Sequence, residues 1–112
     1  MAVKALTQNS FTNDVLNSSA IYAVRFWAEW CGPCRAMKPL YEELAGELAN
    51  IAQFAEVDID ANPEIASACG ITSIPAVVIF QAGNMVDHIV GLAPKSAYEA
   101  ILKDYAAAAA AG

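Results

Sequence analysis

The segment that most restricts the fold is Ile21 to Trp27, Ile-Tyr-Ala-Val-Arg-Phe-Trp, with three residues between it and Cys31-Gly32-Pro33-Cys34. A nearly continuous apolar run of strand length suits a strand buried on both faces, as in a parallel sheet with helices on either side. Beyond the cysteines, Met37, Leu40, Tyr41, Leu44 and Leu48 recur at helical spacing and predict a long amphipathic helix. Pro39 lies inside that helix, where its missing N–H should bend it.

The remaining elements alternate. Val3 to Leu6 is a short strand candidate, and Ser10 to Leu16 reads as a helix behind Asn9 or Ser10 as N-cap. Gln53 to Ile59 alternates into a strand. Asn62-Pro63-Glu64 has the form of a helix start, with Asn62 as N-cap, and Gly70 ends that helix. Ala76 to Phe80 is a second fully apolar strand. Ala82-Gly83-Asn84 then turns the chain, and Met85 to Val90 returns beside it. Tyr98, Ile101, Leu102 and Tyr105 mark a last helix, which the alanines of 106–111 can extend toward Gly112. The order β-α-β-α-β-α-β-β-α gives an α/β fold: a central mixed five-stranded sheet flanked by four helices. With 112 residues, one domain covering 1–112 is expected.

Composition narrows the class. The chain is 57% hydrophobic and 16% charged, which excludes intrinsic disorder. Twelve acids against six bases leave a net charge of -6 without a basic cluster, so no nucleic-acid partner is expected. The start shows no signal-peptide pattern, and the longest uncharged apolar run elsewhere, Ile74 to Phe80, is far below the ~20 residues that span a bilayer. A soluble, cytoplasmic protein with no membrane contact is the expectation. In such a setting three cysteines point to catalysis, metal binding or inert burial rather than to a disulfide framework.

Cys31-Gly32-Pro33-Cys34 follows a buried strand and opens a helix. The unpaired N–H groups and dipole of a helix start favour an anion, so Cys31 should be available as thiolate at neutral pH and act as an exposed nucleophile. Cys34, one turn inside and less exposed, suits the resolving role, and Pro33 stiffens the short ring between them. The competing reading is zinc. Only Cys69 and His88 remain as further ligands, with no second paired motif, so no metal is expected.

Phe26-Trp27-Ala28-Glu29-Trp30-Cys31-Gly32-Pro33-Cys34-Arg35 resembles the active-site signature of the thioredoxin family. Pro39, Val57-Asp58-Ile59-Asp60-Ala61-Asn62-Pro63, Gly70-Ile71-Thr72-Ser73-Ile74-Pro75 and Val90-Gly91-Leu92 extend the match along the chain. The resemblance implies the thioredoxin fold and reduction of protein disulfides by dithiol-disulfide exchange, without a cofactor. It implies a thioredoxin reductase and disulfide-containing proteins as partners, for a monomer. It makes Cys31 the attacking thiol and Cys34 the resolving one. Ile74-Pro75, with a cis peptide bond, would offer backbone groups to an extended substrate segment. Trp30, Gly32, Pro33, Ile74, Gly91 and Leu92 would form the apolar contact surface.

The chain departs from the family at one place. Where the family has a buried aspartate on its second strand and a lysine on its third, this chain has Arg25 and Glu56. An unpaired buried charge is costly, which implies a charge-swapped pair beneath the cysteines. Guanidinium groups do not act as bases, so proton transfer at Cys34 would fall to Glu56 or water. The bland alternative has Arg25 snorkelling to the surface and leaving the chemistry unchanged. Cys69 reads as an inert buried thiol or a regulatory one, and His88 as a solvated edge residue. A thiol oxidant or isomerase, and a binding module with incidental thiols, are the other functions the sequence allows.

Overall fold

The computed structural model describes residues 3–111; Met1, Ala2 and Gly112 lie outside the described residues. Its elements run β1 (Val3–Ala5), α1 (Gln8–Phe11) continuing as a π-helix (Thr12–Leu16), β2 (Ile21–Trp27), α2 (Gly32–Glu47), β3 (Gln53–Asp58), α3 (Pro63–Ala68), β4 (Ala76–Gln81), β5 (Asn84–Val90) and α4 (Lys95–Ala111). The sheet order is β1-β3-β2-β4-β5. β1, β3 and β2 are mutually parallel; β4 runs antiparallel to β2, and β5 to β4. This is the mixed five-stranded α/β architecture expected from the alternation of elements, and the alanine run does continue α4.

Side chains alternate across the strands and build one core on each face. On one face, Tyr22, Val24, Phe26, Ala55, Val57, Val78 and Phe80 pack against Leu6, Phe11 and Val15 and against Ile65 of α3. On the other, Ile21, Ala23, Phe54, Val77 and Ile79 meet Met37, Tyr41 and Leu44 of α2 and Tyr98 and Leu102 of α4. β2 lies at the centre of the sheet with six of its seven residues buried, which explains its continuous apolar sequence. Arg25 is the exception on that strand, and it points to the α2 face in step with Ile21 and Ala23.

Two helix starts differ from the sequence expectation. The N-cap of α1 is Thr7, not Asn9 or Ser10. Thr7 and Ser10 form a reciprocal capping box, with Ser10 N–H donating to Thr7 Oγ1 and Thr7 N–H donating to Ser10 Oγ. At α3, Asn62 makes no side-chain cap. It is buried, its Oδ1 accepts from Gln8 N–H, and its Nδ2 donates to Asp58 O. Gln8 supplies the missing cap from the other helix, its Oε1 accepting from Glu64 N–H at 3.1 Å.

Candidate functional site

The site forms where β2 ends and α2 begins. Ala28 O accepts from Cys31 N–H in the intervening turn, and Cys31 then caps α2 in an extended conformation (φ -90°, ψ 103°). With the cap outside the helix and Pro33 within its first turn, Cys34 falls one turn in, its Cα 5.2 Å from that of Cys31. The two sulfurs are joined as a disulfide, and Cys34 N–H donates to Cys31 Sγ at 3.2 Å. That donor is one of the free N–H groups of the helix start, and it will serve a thiolate at Cys31 better than a neutral sulfur. Cys31 is more accessible than Cys34, 5% against 0%. The expectation of an exposed Cys31 is therefore corrected: Ala28, Trp27, Ile59 and Ile74 pack around the disulfide and leave Cys31 buried.

The other predicted contact residues differ in exposure. Trp30 is 68% exposed and fixed by a hydrogen bond from Nε1 to Asp60 Oδ2 at 2.8 Å. Gly32, Pro33 and Leu92 are exposed, whereas Pro75 is buried and Ile74 half-buried against the disulfide. The Ile74–Pro75 peptide bond is cis. Pro75 O accepts from Gly91 N–H at 2.7 Å, and Gly91 takes φ +84°, a conformation suited to glycine. The cis-proline segment and the Val90-Gly91-Leu92 exit are thus tied directly together.

Beneath the cysteines, Arg25 and Glu56 are register partners on β2 and β3. Arg25 is 1% exposed and does not snorkel. Its Nη2 donates to Glu56 Oε1 at 3.0 Å, and its Nη1 to Cys34 O at 2.8 Å. Its guanidinium carbon lies 5.5 Å from the Trp27 ring centroid and 5.6 Å from that of Tyr41. The two rings give the buried cation favourable neighbours besides its counter-ion. Glu56 keeps 17% of its side chain in contact with solvent.

Sequence reasoning missed Asp60 and Tyr41. Both act across long sequence separations, and Tyr41 sits at an ordinary apolar helix position, so no local signal marks them. The Tyr41 hydroxyl lies 2.8 Å from Ala23 O and 2.9 Å from Ala55 O, bridging β2 and β3 beside the ion pair. Burial pushes its phenol pKa well above the usual range, with Arg25 pulling the other way. Cys69 and His88 stand apart from the disulfide. Cys69 is half-buried, with its thiol pKa pushed up by burial, and exposed His88 lies on the edge strand β5.

Comparison with known proteins agrees with this geometry. The thioredoxin family model matches residues 2–104. The thioredoxin of Pyropia yezoensis is 41% identical over 105 residues, covering 94% of this chain and 98% of the relative. The chloroplastic M-type thioredoxin of Chlamydomonas reinhardtii is 38% identical over 101 residues, 90% of this chain and 72% of the relative. A bifunctional thioredoxin reductase/thioredoxin of Mycobacterium leprae is 43% identical over 99 residues, which are 88% of this chain and 22% of that longer protein. A helix-capping Cys-Gly-Pro-Cys disulfide after the central strand, a cis Ile74–Pro75 bond whose Ile74 packs against it and a family match over nearly the whole length lead to one assignment: the chain belongs to the thioredoxin family.

Proposed function

We propose that the chain is a protein-disulfide reductase, and that Cys31 and Cys34 carry two electrons between a thioredoxin reductase and disulfide-containing proteins. The observation that carries this reading is the Cys31–Cys34 pair at the start of α2, with the Cys34 N–H directed at Cys31 Sγ. In the reduced protein the Cys31 thiolate attacks one sulfur of a substrate disulfide. A mixed disulfide forms and the first substrate sulfur leaves as thiolate. Cys34 then loses its proton and attacks Cys31 Sγ, releasing the second substrate thiolate and closing Cys31–Cys34. The substrate has gained two electrons and the protein has lost them; the reductase restores the dithiol.

Arg25 donates to the Cys34 carbonyl and cannot accept the Cys34 proton, so Glu56 or water accepts it. Ile74 and Pro75 bind an extended substrate segment through backbone groups, and Trp30, Gly32, Pro33, Gly91 and Leu92 form its apolar rim. The protein acts as a single-domain monomer in the cytoplasm; no helix among the described residues is long and apolar enough to cross a membrane.

NADPH-coupled reduction of insulin disulfides with a thioredoxin reductase tests the reading. Turnover is expected for the native chain, together with covalent capture of substrate by Cys34→Ser. Absence of both would make the fold a binding module with incidental thiols.

A further inference from the structure

Behind Cys34 lies a cavity of about 290 Å³ lined by Arg25, Trp27, Glu29, Cys34, Arg35 and Lys38. In a chain with twelve acids and six bases, three of the six cations meet at this one place. The other three are neutralised by acids: Lys4 by Asp14, Lys95 by Glu43 and Glu47, and Lys103 by Glu99. Arg35 and Lys38, one turn apart on α2, make no ion pair among the described residues. Arg25 is the buried member of the group. Its Nη1 and Nη2 are engaged, but its Nε is the one buried side-chain nitrogen or oxygen without a hydrogen-bond partner among the described residues.

Arg25 Nε is itself out of reach of solvent, so Arg25 lends the cavity its buried charge rather than a contact through that atom, and a concave site rimmed by two unpaired cations attracts an anion. The opposing charges are few. Glu29 lies on the rim, and Glu56 faces Arg25 from β3 without lining the cavity. We propose that this cavity is a binding site for a small free oxyanion of the inorganic phosphate type, held by Arg35 and Lys38 over the buried charge of Arg25, next to the resolving cysteine. The ligand must carry at least one negative charge and several acceptor oxygens, since the lining side chains other than Glu29 and Cys34 offer only donors.

The test uses the oxidised full chain and reads binding without turnover, so its result does not depend on the disulfide-reductase reading. Inorganic phosphate is titrated at constant pH and ionic strength, with chloride as the balancing anion, while NMR follows the Arg25 Nε–H and the amides of Cys34 to Lys38. Saturable shifts centred on these groups are expected. Arg35→Gln with Lys38→Gln should weaken the dissociation constant about tenfold or more, the scale of removing two partly exposed charges close to an anion. Glu29→Gln should tighten it a few-fold. Linear shifts, equal shifts in chloride alone, or a constant unchanged by all of these substitutions would overturn the site.

Discussion

Arg25 is the residue on which most of the unusual features converge. Its cation is removed from water, and Glu56, Cys34 O and the rings of Trp27 and Tyr41 together replace that hydration. Neutralising Glu56 should therefore do more than remove one surface charge. Glu56→Gln keeps an acceptor oxygen but leaves Arg25 uncompensated, and a loss of about 2 kcal/mol is expected, below the 3–5 of a fully buried pair because Glu56 reaches solvent. Urea unfolding measures that loss. If Glu56 also takes the Cys34 proton, the resolving step slows and its pH profile changes, whereas a purely structural role leaves the profile in place.

Tyr41 gives a second test at the same scale. Its folded-state pKa is raised by burial, so above the unfolded-state value of about 10 the unfolded chain binds fewer protons than the native one. Stability contributed by the neutral phenol is complete below about pH 10 and is lost at about 1.4 kcal/mol per pH unit above it. Tyr98 and Tyr105 shift the same way, so Tyr41→Phe should make the alkaline decline shallower without abolishing it. Urea midpoints between about pH 10 and 11 decide this; an unchanged slope contradicts the burial account.

At the scale of elements, much was legible and some was not. β2 and β4 were readable because a strand buried on both faces carries an apolar residue at nearly every position. The apolar run of β2 marks Arg25 as a charge in need of a partner, but its juxtaposition with Glu56 was readable only through the family resemblance, which brings the two positions together. The capping of α1 and α3 was not. Asn62 has the composition of an N-cap, yet tertiary bonds to Gln8 and Asp58 claim its side chain, and nothing near Asn62 signals a partner at Gln8. The π-turn is equally silent. It ends at Leu16, whose carbonyl faces the β4–β5 hairpin, where Ala82 (φ 51°) and Gly83 (φ 81°) form a two-residue turn. A Cβ on Gly83 would strike the Leu16 carbonyl oxygen. Gly83→Ala should then cost about 2–4 kcal/mol, from the left-handed backbone and the steric conflict together. A thermal melt near the native value would mean that the π-turn gives way.

Across the whole molecule, stability and redox chemistry are carried by different parts. Two apolar cores, one on each face of the sheet, hold the elements together, while the disulfide joins residues only three apart at one edge of both. A bridge across so short a loop removes little entropy from the unfolded chain, about 2 kcal/mol in the chain-entropy relation against nearly 5 for a 100-residue loop. Reducing Cys31–Cys34 should therefore lower stability by about 2 kcal/mol and leave the far-ultraviolet circular dichroism unchanged. The comparison is made by urea unfolding of the oxidised chain and of the chain in excess dithiothreitol. A carrier that must exist in both redox states needs this separation, because a fold that depended on the disulfide would open each time it delivered electrons. Loss of structure on reduction would show that the cores alone do not hold the sheet and that the disulfide is structural.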